Sequence, residues 1–467
     1  MKKIAFIVAL PLFFGSESFA TDSNLENSKS EKRRNYYVKA KSFGSAPESD
    51  PPQYVTQLNE TDDDSLKEID WIDLGLRQRT RFEYRDNDFR RSVDNIDNPV
   101  LSRTQLYFGI KNIIDPLRFA FEIQDSRRFN GKFSKDNGDV NKLDIFQAYT
   151  ELYFKKPFAL DRPISLRAGR MSFEVLDRKL FARDEWGNTG NNFQGYRAII
   201  GEQKSDWQFD NFALQPMTEL MNQNDRVNKN QWIYASILNW RKFSDFVTLQ
   251  PFYFQLDQKK SATSFESKIH SPGLRFYGDI LNTNFDYDII GVYQFGSTNN
   301  QNHLASAYAT ELGYTYEYDW KLRQSIVYSY ASGDKNPYDN KNQRFERFYG
   351  FARAWSSANT VDWENLETIK NRIELNPTKK VKIDSSYSFY WLASSTDKWN
   401  RTDLQDKTGR SGNFMGQDFD FRLGYQFSKK FNATIGYDHF IPGSFTRKVG
   451  RGGSSDFVYL ELTFSAF

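Results

Sequence analysis

The chain contains no cysteine in 467 residues. That excludes a disulfide framework and, with only three histidines, leaves no ligand set for zinc. It also excludes a lipid anchor on an N-terminal cysteine. Beyond residue 15 the sequence lacks any apolar run approaching the ~20 residues a spanning helix needs. Mean hydropathy is −0.72. Excess charge of one sign is missing too: the formal net charge is +3, against the strong basic excess of a nucleic-acid binder. No glycine-rich phosphate loop precedes a helical pattern. His270 and His439 fall on apolar strand faces and His303 in a loop, none beside a nucleophile pattern. No catalytic constellation, metal set or cofactor is therefore implied. Asp334, Asn336 and Asp339 lack the spacing of a full calcium loop and read as a solvated turn.

What is abundant is aromatic. The chain carries 42 Phe and 26 Tyr, residue types suited to exposed strand faces and membrane-interface belts. Residues 1–20 read as a secretory signal: Lys2 and Lys3, an apolar run over 4–14, then Ser18-Phe19-Ala20. Residues 21–70 are polar and read as a flexible periplasmic extension. From Trp71 to residue 467 a period of two takes over. Ile72, Leu74, Leu76, Thr80, Phe82 and Tyr84 alternate with Asp73, Gly75, Arg77, Arg79, Arg81, Glu83 and Arg85. Successive strand side chains point to opposite sides, so one face suits lipid and the other carries guanidinium groups. The alternation recurs through Thr104–Ile110, Leu117–Ile123, Ile369–Leu375 and Phe419–Phe427.

Short connections (112–116, 241–245, 376–380, 428–430) alternate with long ones (125–142, 172–194, 216–230, 334–361, 394–415). These are the short periplasmic turns and long extracellular loops of an all-β transmembrane antiparallel barrel. About 18 strands are expected, wide enough for an aqueous bore. Pro251 and Pro272 each remove a ladder donor, and bulges or shortened pairing are expected there. Arg197 lies in a short segment whose two faces do not separate. The turns are too short to plug the bore; a plug would come from residues 21–68 or from a long outer loop.

Three stretches resemble the bacterial alginate-export porin family. The first is Leu166-Arg167-Ala168-Gly169-Arg170-Met171 with Arg178-Lys179-Leu180, Trp186-Gly187-Asn188-Thr189 and Phe193-Gln194-Gly195-Tyr196-Arg197. The second is Tyr328-Ser329-Tyr330-Ala331-Ser332-Gly333-Asp334 followed by Asn336-Pro337. The third combines Asn365-Leu366, Trp391-Leu392, Gly416-Gln417-Asp418-Phe419-Asp420 and Pro442-Gly443. Met171 and Gln194 depart from the family's usual Gln and Asp. The resemblance implies an Arg-lined lumen that passes an anionic polysaccharide across the outer membrane. A general or uptake porin for small anionic solutes is the alternative.

By alternation, the inward side chains are Arg77, Arg79, Arg81, Arg103, Arg118, Arg167, Arg275, Arg323, Arg372 and Arg422, expected as rings around the bore. Glu83, Glu122, Glu151, Glu311, Glu374, Asp418 and Asp420 share that face and are placed to pair with them. Tyr107 and Tyr149 also face inward, in packing roles rather than as sugar-stacking platforms. The partners implied are the anionic solute, outer-membrane lipid and lipopolysaccharide and, for export, a periplasmic secretion assembly. No nucleic acid is implied.

Overall fold

The computed structural model describes residues 49–60, 66–91, 95–159, 161–262, 264–280 and 283–466. The expected signal segment and residues 21–48 lie outside these. Eighteen antiparallel strands close into one barrel. They are β1 (Ile72–Asp86), β2 (Val100–Ile114), β3 (Leu117–Phe129), β4 (Asn141–Phe154), β5 (Ile164–Met171) and β6 (Phe193–Ile200). Next come β7 (Trp207–Thr218), β8 (Gln231–Trp240), β9 (Thr248–Gln258), β10 (Ser267–Asp279), β11 (Phe285–Thr298) and β12 (Gln301–Thr315). The last six are β13 (Arg323–Ala331), β14 (Leu366–Thr378), β15 (Val381–Trp391), β16 (Phe414–Gln426), β17 (Phe431–Pro442) and β18 (Ser455–Ser465). Pairing of β18 with β1, from Arg77 opposite Ser465 to Asp86 opposite Asp456, removes the free edges.

Alternation sets the two faces. Phe82, Phe108, Phe119, Leu312, Ile435 and Phe464 are exposed on the outside, whereas Arg79, Arg81 and Arg103 are at most 4% exposed inside. At one end the connections are short; at the other they are long, with one exception. Asn299-Asn300 alone joins β11 to β12, both residues at positive φ (53° and 63°), as a two-residue hairpin turn requires. That tight turn draws His303 into β12, where it is buried and bonded to Gln294, rather than leaving it in the expected loop.

The two strand prolines interrupt pairing without shifting it. Between β8 and β9 the ladder skips from Ile237↔Phe252 to Trp240↔Leu249, across Pro251. Between β10 and β11 it skips from His270↔Phe295 to Gly273↔Val292, across Pro272. Pairing is shortened as expected; bulges do not form.

The interior is not an empty bore. Residues 172–192 turn inward after the short β5, and residues 343–365 turn inward after β13. The two segments hold each other through backbone bonds: Ala182 N–H to the Tyr349 carbonyl, Tyr349 N–H to Leu180 and Phe351 N–H to Arg178. Phe181 stacks on Phe193 at 4.3 Å, with Phe173 and Phe212 at 5.1 Å from it, and Phe348 lies 5.4 Å from Phe254. The inward faces of β7–β12 answer with Leu214, Ile233, Ala235, Phe254, Ile269, Ile290 and Ala307. At mid-height this half of the wall is therefore apolar, and complete rings of arginine cannot form there. Ser49–Glu60 also departs from a free extension. Thr56–Gln57 pairs with Leu74 and Asp73 of β1, and Tyr54 packs over Gly75.

Candidate functional site: the charged lumen

The densest arginine cluster sits on β1 and β2, and the apex of the first inner segment rests on it. Arg79 donates to the carbonyls of Glu185 and Gly187, each at 2.6 Å, and Arg81 to that of Trp186 at 2.8 Å. The Glu185 carboxylate accepts from Arg77, from Arg103 at 2.8 Å and from Arg183 at 2.7 Å. Burial alone would raise its proton affinity, but these three guanidinium groups outweigh it and hold Glu185 well below the usual carboxylate range. Asn188 pins the apex to the wall, donating to the carbonyls of Asp139 at 2.7 Å and Arg127 at 3.0 Å. Glu83 is clamped between Arg81 (2.8 Å) and Arg85 (2.9 Å). Tyr107 and Tyr149 are buried side chains of the wall below.

Nearer the short-turn end a belt of paired charges runs along the lumen wall from β3 to β16. Arg118, Glu151, Arg167 and Arg197 are direct neighbours across β3, β4, β5 and β6. Glu151 takes Arg167 at 2.9 Å, and Asp210 on β7 takes Arg197 at 2.6 Å. Arg275 meets Asp288 at 2.8 Å and the Gln250 amide oxygen at 2.9 Å. Arg323 gathers Asp286 (2.7 Å), Glu311 (2.9 Å) and Glu374 (2.6 Å). Asp384 then joins Arg372 (2.7 Å) to Arg422 (2.6 Å). Of the ten arginines read from the sequence, Arg118 alone has no carboxylate within salt-bridge distance among the described residues. Its guanidinium lies over the Tyr153 ring, 3.5 Å from the centroid.

Two glycines make the β5–β6 part of this belt possible. Gly169 and Gly195 face each other across the ladder, at φ +134° and +157°. A Cβ on either would fall within 2.4 Å of a carbonyl oxygen on the next strand, Ala148 or Ala213. On the other side of β18 from the β1–β2 cluster the wall turns acidic. Asp420 on β16 faces Asp438 on β17, with Asp418 a step away. Ser357 of the second inner segment caps Asp438 at 2.7 Å, and the Tyr390 hydroxyl reaches Asp418 at 3.3 Å.

The family model described as alginate export matches residues 70–459. The chain belongs to the alginate-export family. Its barrel is similar to solved Pseudomonas aeruginosa porins at low identity. OccK2 (OpdF) in complex with glucuronate matches at 10% identity, with 84% of this chain and 97% of that one covered and a TM-score of 0.58. OpdK with vanillate matches at 11%, covering 84% and 98%, TM-score 0.58; OccK11 (OpdR) at 12%, covering 84% and 95%, TM-score 0.55. Among curated proteins none matches this sequence. Family and barrel together make this alginate-export chain an outer-membrane porin, and the family and fold are those of transport proteins rather than enzymes. The long-loop end is thus extracellular and the short-turn end periplasmic.

All ten arginines, with Glu83, Asp418 and Asp420, face the interior of the alginate-export barrel. They do not act as one set. Arg77, Arg79, Arg81 and Arg103 hold the inner segment, Glu83 braces them, and the other six arginines belong to the periplasmic belt. Asp418 and Asp420 form the acidic wall. Arg197 joins the belt although its segment had no readable face. Asp50, Arg183 and Glu185 carry site charges from loops, where alternation gives no signal; only the Trp186-Gly187-Asn188-Thr189 motif marked that apex in the sequence.

Proposed function

We propose that this porin passes an anionic polysaccharide of the polyuronate class by diffusion along the arginines of its lumen. The observation that carries the reading is the periplasmic belt, in which guanidinium groups are interspersed with the carboxylates that pair with them. A carboxylate on each sugar meets one planar, permanently charged fork after another. The protein's own carboxylates compete for every fork, so no single site holds the polymer deeply, and conduction needs favourable but exchangeable binding. Walls of low dielectric focus the field of these charges into the water between them. A passive pore has no direction of its own; export follows when the periplasmic concentration is the higher one.

A second reading, uptake of small carboxylate solutes, draws support from the cavity at the periplasmic mouth. Its volume of about 510 Å³ suits one or two sugar units. The porins titled with glucuronate and vanillate are of similar fold. Planar-bilayer recording separates the two. Under the first reading, polyuronate blocks chloride current at lower uronate-unit concentration than free glucuronate does, and neutral glucan does not block. Equal block by polymer and monomer favours the second reading. Block by neutral glucan as strong as by polyuronate refutes both.

A further inference from the structure

The cavity at the periplasmic mouth is walled by Asp50, Arg118, Tyr149, Arg167, Arg197 and Asp210, among others. Five of these belong to barrel strands. Asp50 does not: it arrives from the N-terminal segment. One of its carboxylate oxygens, Oδ2, accepts from Arg167 at 2.6 Å and from Arg197 at 2.8 Å. Both arginines already have strand partners, Glu151 and Asp210. Two cations therefore hold three carboxylates, and Asp50 is the one not built into the wall. Its side chain stays 26% exposed, whereas Arg197 is 5% exposed. Water reaches the seat from the Asp50 side. Burial opposes its charge, but the two guanidinium groups prevail and keep the carboxyl below its ordinary range.

The rest of the segment works as a tether. Thr56–Gln57 adds two residues of ladder to β1, Lys111 reaches the Gln57 amide oxygen at 2.7 Å, and the Tyr54 hydroxyl donates to Glu122 at 2.5 Å. Arg77 lies over the Tyr54 ring at 4.6 Å. A carboxylate on so short a tether faces its seat at an effective concentration of order millimolar.

We propose that Arg167 and Arg197 form a carboxylate-binding seat at the periplasmic mouth, that Asp50 occupies it as a tethered internal ligand, and that a carboxylate-bearing solute must displace Asp50 to pass. Arg118, next to Glu151 in the same cross-strand row and with no carboxylate at salt-bridge distance among the described residues, lines the same cavity and is placed to receive such a solute. The inference rests on the anionic reading of the pore and adds a competitor to it.

The test uses the full chain in planar bilayers, with chloride current as readout and D-glucuronate or glucose as probe. Asp50→Asn removes the competing charge and keeps the shape. Its glucuronate half-blocking concentration is expected to fall on the order of tenfold from wild type, with glucose unchanged. Because the chain has no cysteine, Thr56→Cys with Leu74→Cys creates its only thiol pair, across a register already formed. Oxidised, this lock is expected to raise the half-blocking concentration severalfold, and dithiothreitol to restore it. Glucuronate blocking selectively in wild type, yet at the same concentration in Asp50→Asn and in the oxidised lock, overturns the tethered ligand and leaves the anionic pore standing. Glucuronate and glucose acting alike in wild type and Asp50→Asn overturns the anionic reading itself.

Discussion

Glu185→Gln tests how the inner segment is held. The substitution keeps the side chain's size and removes the charge that Arg77, Arg103 and Arg183 share. Breaking a fully buried ion pair by deleting one partner costs ~3–5 kcal/mol. Glu185 keeps 29% of its side chain exposed, so water screens the loss, and ~1–2 kcal/mol is the better expectation. The carbonyl contacts of Arg79 and Arg81 with residues 185–187 survive the change. The equilibrium between inserted and released segment then shifts by roughly five- to thirtyfold, at ~1.4 kcal/mol per factor of ten. Single-channel recording at ~0.15 M salt, where the Debye length is ~8 Å, reads the result. Wide-open events become more frequent, mean conductance rises and chloride preference increases, because three guanidinium groups lose their counter-charge. Because the folded-state affinity of Glu185 for protons is depressed, its contribution is complete above the ordinary carboxylate range and disappears only in stronger acid. The Glu185 contribution to gating is therefore flat from about pH 5 upward. Unchanged conductance, event frequency and selectivity in a Glu185→Gln barrel of normal heat-modifiable mobility would refute the reasoning.

Arg118→Ala breaks no ion pair and only one ring contact; chloride-over-potassium preference should fall while urea stability stays within ~1 kcal/mol of wild type. Arg323→Met takes the shared cation from Asp286, Glu311 and Glu374 and leaves Glu374 with Arg372 at 3.8 Å, and urea unfolding in lipid should show a loss of ~3–5 kcal/mol. Burial first, then Asp362 and Glu346, push Glu364 in the second inner segment up to about 8. A raised carboxyl favours the folded segment fully below the ordinary carboxylate range and has lost that favour once pH passes about 8; channel noise should grow between about pH 5 and 8 in wild type, level off above that, and stay flat in Glu364→Gln. Gly195→Ala meets the Ala213 carbonyl at 2.2 Å, and the yield of folded barrel on refolding should drop sharply while Ala198→Gly leaves it unchanged.

How much the sequence could say depended on what each strand faces. On β1, Phe82 and Tyr84 meet the outside while Arg81 and Glu83 meet the lumen, and a period of two announces it. On β6 the inward Phe193 packs against Phe181 of the inner segment and Ile199 is buried on the same face, while Ala198 and Ile200 lie on the other, so both faces carry apolar residues and the signal vanishes around Arg197. The same apolar inner wall, through Ile233, Ala235 and Ile237 on β8, is why guanidinium groups expected all round the bore gather at its periplasmic end and on β1–β2. Asp50 and Glu185 arrive on irregular backbone, which has no repeat to reveal where a side chain points. His303 lies on a strand and not in the expected loop because two asparagines suffice for the turn, leaving Gln301 onward free to pair.

The most direct measurement is the reversal potential of purified barrels under a potassium chloride gradient, repeated with Arg118, Arg167 and Arg197 changed to Gln together. The account predicts preference for chloride in wild type, lowered by glucuronate and largely lost in the triple variant. Preference for potassium in wild type, or a reversal potential that the triple variant leaves where it was, contradicts it.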